Sequence, residues 1–107
     1  MTITTNDASG TDADVTIDGG TTAVNIGAST IDGDLTVTSG NVSGITDSGT
    51  VTVGGNLVAT TDANNGVIDL GTTTVTGTMD LTSHGSGNVT IDNATTDIVL
   101  IASEIGG

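Results

Sequence analysis

A 22-residue step constrains this chain more than any other feature. Gly33, Gly55 and Gly77 recur at that step, and Leu35, Leu57 and Met79 each follow two positions later. Ile45, Val67 and Val89 keep the same step. A longer, 74-residue echo encloses it. Segments 14–33 (DVTIDGGTTAVNIGASTIDG) and 88–107 (NVTIDNATTDIVLIASEIGG) share ten of twenty positions without a gap. Two blocks of 22 and one of 30 account for that offset, the longer block carrying an extended connection at 101–107. Each block holds three short stretches rich in β-branched residues, separated by Gly, Ser, Asn or Asp.

Short strands recurring in sets predict coils stacked on one another, because no single set can bury its apolar side. The expected fold is all-β: a parallel β-helix, or β-solenoid, of about four coils of roughly 22–30 residues. Equivalent strands ~4.8 Å apart would satisfy each other's backbone groups. The Gly, Asn and Thr content argues against helices. A sandwich of antiparallel hairpins predicts no 22-residue register. Taking 2–5, 34–37, 56–59 and 78–81 as first strands divides a single domain, 1–107, into coils 1–33, 34–55, 56–77 and 78–107. Gly107 is then the counterpart of Gly33, so the division gives whole coils, with ~19 Å of rise.

Composition narrows the function. The chain has no Lys, Arg, aromatic residue, Pro or Cys, and its 13 acidic residues leave a formal charge of −13. Phosphate recognition needs cationic side chains and base stacking needs rings. Nucleic acid is therefore excluded as a partner, and anionic membrane surfaces are disfavoured. No segment has a signal-peptide or transmembrane pattern, so no membrane insertion is expected. High charge would suggest disorder, but the apolar residues are mainly Val, Ile and Leu, and 24 Thr and 17 Gly fit strands and turns. The absence of Cys rules out disulfides and thiolate metal sites. Polysaccharide-cleaving β-helices use carboxylates together with cationic groups and rings. Lacking both, this chain is not expected to be an enzyme, and no catalytic residue or cofactor is assigned.

The runs GDLTVTSG, TVTVGGNL, GNLVATTDANNG and NVTIDNATTDIVL resemble the β-strand repeats of large bacterial surface proteins. These are the filamentous-haemagglutinin-like adhesins and related autotransporter or two-partner-secreted proteins. The resemblance runs from about residue 14 onward and implies a right-handed parallel β-helix on the cell surface or outside the cell, acting as a stiff stalk, adhesin or matrix fibre. The expected function is structural: a subunit or segment of a self-assembling filament or adhesin shaft. The alternative is a surface module that binds a ligand, ice or Ca²⁺.

An uncapped solenoid exposes unpaired backbone groups at both ends, and no charged or atypical capping block is evident. The expected partner is therefore a second copy, head to tail, or flanking repeats of a longer chain. Thr2, Ile3, Thr4 and Thr5 mark one assembling end; Ile98, Leu100 and Ile105 mark the other.

Several residues invite a more specific chemistry. Asp12 and Asp14 precede VTI, and Asp32 and Asp34 precede LTV. Paired carboxylates in a loop can hold Ca²⁺, although the calcium-binding nonapeptide GGxGxDxUx is absent. The ordinary reading is acidic loops that maintain solubility. Asp47 and Asp69 stand one 22-residue step apart and would stack. His84, in SHGSG, reads as an exposed turn residue without a nucleophile elbow beside it. Thr-x-Thr pairs at Thr2/Thr4, Thr36/Thr38, Thr50/Thr52, Thr72/Thr74 and Thr74/Thr76 would give an outward hydroxyl array. The 22-residue step aligns Thr52 with Thr74 and few others. Asn41, Asn88 and Asn93 each open an N-glycosylation pattern.

Overall fold

The structure is a computed structural model that describes residues 4–5, 13–94 and 97–106. Thr2, Ile3 and Asp12 lie outside the described residues. Among the described residues there are eleven strands and no helix: β1 (Val15–Asp18), β2 (Val24–Ile26), β3 (Ser29–Ile31), β4 (Leu35–Ser39), β5 (Ile45–Asp47), β6 (Val51–Val53), β7 (Leu57–Asn64), β8 (Ile68–Leu70), β9 (Thr73–Val75), β10 (Met79–His84) and β11 (Val89–Ile91). They form three sheets, β1-β4-β7-β10, β2-β5-β8-β11 and β3-β6-β9, hereafter sheets 1, 2 and 3. Each neighbouring pair is parallel. The chain visits the three sheets in turn and returns to the first one rung higher. It is a β-solenoid of about four coils.

Alternation explains why these residues form these strands. In β4, LTVTS, Leu35, Val37 and Ser39 are buried while Thr36 and Thr38 face partly outward. Stacking makes each inward position a column. Sheet 1 aligns Val15, Leu35, Leu57 and Met79, and beside them Ile17, Val37, Ala59 and Leu81. Val24, Ile45, Ile68 and Val89 line sheet 2, and Ile31, Val53 and Val75 line sheet 3. These columns converge on one core, in which Leu57 is 1% exposed and Leu35 and Met79 are fully buried. Burying one such side chain contributes about 1.5–3 kcal/mol.

The 22-residue glycine step has a steric cause. Gly55 N–H donates to the Gly33 carbonyl and Gly77 N–H to the Gly55 carbonyl, both at 2.9 Å. A Cβ on Gly55 would lie 2.9 Å from that Gly33 oxygen, and one on Gly77 would lie 2.6 Å from the Gly55 oxygen. The corner leading into sheet 1 is closed too tightly for any side chain. At Gly44, a positive φ of 61° adds a second requirement for glycine.

Two sequence expectations are corrected. The strand below β4 is Val15–Asp18, with Val15 opposite Leu35, so 2–5 is not the first strand of a coil spanning 1–33. Thr4 instead pairs with Thr30 and lies below sheet 3. Val15 to Leu35 is a 20-residue step, Leu35 to Leu57 and Leu57 to Met79 are 22-residue steps, and Leu100, opposite Met79, follows after a 21-residue step. The stretch 78–107 is therefore not one enlarged coil. It is an ordinary coil followed by a fifth rung, 99–106, laid along β10. The 74-residue echo also joins unlike places: Val15 lies in sheet 1 and Val89 in sheet 2. Val-Thr-Ile has the same in–out–in pattern in either sheet, so sequence similarity carries no information about which sheet it enters.

Leu57→Ala should cost about 2–5 kcal/mol through the transfer term and the cavity left in the column. Gly55→Ala should cost about 1–3 kcal/mol by forcing two coils apart. Both are measured as shifts of the urea unfolding midpoint, and an unchanged midpoint for either would refute its assigned place.

Candidate functional site

The corner entering sheet 1 holds Asp14 and Asp34, two of the four carboxylates named from sequence as Ca²⁺ candidates. Asp14 Oδ1 accepts from Asp34 N–H at 2.7 Å, and Asp34 Oδ1 accepts from Asn56 N–H at 2.7 Å. Asn56 Oδ1 then accepts both N–H and Oγ–H of Thr78, at 2.9 and 3.0 Å. Each side chain caps the backbone of the coil above, so these residues work as a ladder that ties rungs together. Asp32 stands apart from it, its N–H donating to Thr5 Oγ1 at 2.9 Å. Among the described residues no group of three or more His, Cys, Asp or Glu is gathered in a way that could hold a metal ion.

Asp47 and Asp69 do not stack. Asp69 lies opposite Thr46 and Thr90, because Ile68 pairs with Ile45 across a 23-residue step. Asp47 turns to the loop above, where its two carboxylate oxygens accept from the N–H groups of Gly71 and Thr72 at 3.2 and 2.9 Å. The extra residue in the coil thus separates two carboxylates that an unbroken 22-residue step would align.

The threonine array is more regular than the sequence step indicates. Thr4, Thr30, Thr52 and Thr74 form an uninterrupted column on the outside of sheet 3. On sheet 1, Thr38, Thr60 and Thr82 align, while the neighbouring column runs Thr16, Thr36, Val58, Asp80. Next to the sheet 3 column is a shallow groove of about 170 Å³, lined by Thr50, Gly71, Thr72, Thr73, Thr74, Asp92 and Ala94. His84 is exposed at the end of β10, its Nδ1 2.8 Å from the Thr61 carbonyl.

One set of buried polar residues went unnoticed in the sequence, and Asn93, noted there for another reason, has a structural role. Ser39, Thr61 and Ser83 point inward at the end of sheet 1 and are buried. Their hydroxyls donate to the carbonyls of Thr22, Gly66 and Gly87, at 2.8, 3.0 and 2.7 Å. A Ser or Thr two positions beyond a buried apolar residue was the available signal. Asn93 is 3% exposed and lies above the last strand of sheet 3. Its Oδ1 accepts from Val75 N–H at 2.7 Å, and its Nδ2 donates to the carbonyls of Val75 and Asp97 at 3.2 and 3.1 Å. The side-chain amide bonds the Val75 peptide as the backbone of a neighbouring strand would and plugs this edge of the sheet. Its glycosylation pattern is consequently masked in the folded chain, whereas Asn88 is exposed.

The fifth rung is where apolar surface gathers. Ile98, Val99, Leu100, Ile101 and Ile105 are between 44% and 53% exposed, and among the described residues Val42 is the other large hydrophobic left open. Met79 N–H donates to Val99 O at 2.7 Å and Ile101 N–H to Met79 O at 2.8 Å, which fixes the rung to β10. Thr4 and Thr5, from the other expected end, are held by the Thr30 backbone, with Thr5 N–H donating to Thr30 O at 2.9 Å.

A family model described as repeats of unknown function (DUF5649) matches residues 12–72. No curated protein and no solved structure matches the chain.

Asn93→Asp should destabilise the chain by about 1–3 kcal/mol at neutral pH, because a carboxylate cannot donate to the two carbonyls it would face. The unfolding midpoint measures this. A midpoint equal to that of the unsubstituted chain would show that Asn93 does not plug the sheet.

Proposed function

Starting from the chain's membership of the family of repeats of unknown function, to which it belongs, we propose that it is a structural protein of the cell surface or extracellular space. It serves as a subunit or segment of a β-solenoid filament or adhesin shaft. The observation that carries this reading is the fifth rung. Its inner edge is bonded to β10, while the apolar side chains around its outer edge stand open. Exposed apolar clusters of this kind mark contact surfaces, and the backbone of a rung is satisfied by another rung. The proposed partner is therefore another coil of the same kind, from a second copy or from flanking repeats. The resemblance to filamentous-haemagglutinin-like repeats supports the shaft role and the extracellular location.

A ligand- or ice-binding face is the second reading. The continuous Thr4–Thr30–Thr52–Thr74 column is the specific observation in its favour.

Electron microscopy of the purified chain over a range of concentrations tests the first reading. Unbranched filaments of uniform width are expected. Monomers at every concentration would refute self-assembly and turn attention to the threonine face.

A further inference from the structure

The geometry points to a defined contact, resting on the end-to-end reading above: the open edge of rung 99–106 takes β1 of a second copy, with Leu100 opposite Val15 and Glu104 opposite Asp18. Backbone polarity sets this arrangement. Because Val99 O and Ile101 N–H turn toward Met79, the N–H and C=O of Leu100 turn toward the open edge. On β1, Val15 and Gly19 N–H groups donate to the carbonyls of Asp34 and Thr38. The N–H and C=O of Thr16 therefore face away from β4, on the side of sheet 1 where, among the described residues, β1 is the edge strand. In a parallel pairing, Leu100 N–H meets the carbonyl of Asp14 of the second copy, and that copy's Thr16 N–H meets Leu100 O.

The columns select the same register. Val15, Leu35, Leu57, Met79 and Leu100 already form one column within the chain, and Val15 of a second copy extends it by one rung. Leu100, 53% exposed, is the side chain this addition covers. In this register the edges of sheet 2, β11 below and β2 above, stand two rung spacings apart and do not pair, so sheet 1 carries the contact.

That register has an electrostatic consequence. Asp18, Thr38, Thr60, Thr82 and Glu104 form the neighbouring outward column. Its continuation sets Glu104 against Asp18 of the second copy, one rung or ~4.8 Å away. Like charges directly opposite on adjacent strands repel, and the chain has no Lys or Arg to offset them. Among the described residues, Asp14 on the approach to β1, Asp80 and His84 on β10 and Asp97 ahead of the rung are further titratable groups on the elements that meet at this junction. The Glu104–Asp18 pair therefore limits assembly, opposing the closure of the apolar rung.

Sedimentation velocity at neutral pH, comparing the double variant D18N/E104Q with D62N/D69N, tests this. Each removes two acidic charges, and the amide introduced by D18N keeps the Oδ1 that accepts from Gly20 N–H. Asp69 lies on sheet 2 and Asp62 late in β7, both away from the junction. D18N/E104Q should assemble at about a tenfold lower concentration than the unsubstituted chain, with D62N/D69N much closer to it. Adding Leu100→Pro to D18N/E104Q removes the outward N–H without touching a bond to β10, and should abolish assembly with the β circular dichroism intact. If both double variants shift equally, or Leu100→Pro leaves assembly unchanged, the register is wrong although end-to-end stacking stands. If neither the unsubstituted chain nor any variant assembles at any concentration, the end-to-end reading falls, and this contact with it.

Discussion

The parallel hydrogen-bonded step from one coil to the next is the constraint on which the rest of the molecule depends. It sets corresponding residues ~4.8 Å apart, rung after rung. Whatever occupies a position must then tolerate a near copy of itself directly above and below. Aliphatic side chains do so inside, where Leu35, Leu57 and Met79 stack without a gap. Threonine does so outside, as in Thr30, Thr52 and Thr74. Glycine does so at the corner, where each carbonyl receives the next N–H and no Cβ fits. Asp34 and Asn56 do so by turning a side-chain oxygen onto the backbone of the next coil. Each recurring residue type is the solution to one stacking problem.

That constraint explains what was legible in the sequence. The middle of the chain, where the 22-residue step holds, announced its fold through Gly33, Gly55 and Gly77. The flanks did not, because turn length can vary while strand pairing is preserved. The first coil is shorter than the middle ones by two and the last full one by one, and no residue type marks where the difference is absorbed. The registration of 2–5 failed for this reason: TITT alternates as a sheet 1 strand would, yet Thr4 pairs with Thr30. The candidate site was less legible. Asp14 and Asp34 read as solvated acidic loops or as a cation pair, because sequence shows a carboxylate but not the N–H above it. Asn93 showed only a glycosylation pattern, because its burial depends on Val75, in the coil below.

The same constraint governs how a chain with 13 acidic residues and no basic ones can stack at all. Among the paired residues, no acid stands directly opposite another. Asp18 faces Thr38, Asp80 faces Val58, Asp69 lies between Thr46 and Thr90, and Glu104 faces Thr82. The 23-residue step in sheet 2 is what keeps Asp47 and Asp69 out of line. Where acids do succeed one another, at Asp14 and Asp34, the lower carboxylate is turned onto the upper N–H, a charge-assisted bond. Within one chain, then, negative charge is distributed so that each rung adds no opposed pair of carboxylates. A junction that placed Glu104 on Asp18 would be the first to break that pattern. At the proposed junction, hydrogen-bond polarity and apolar surface would favour continuation, while the outward column would oppose it. In a chain without Lys or Arg, such an opposition would be lifted by a proton or a counter-ion, or by a change of residue at the junction itself.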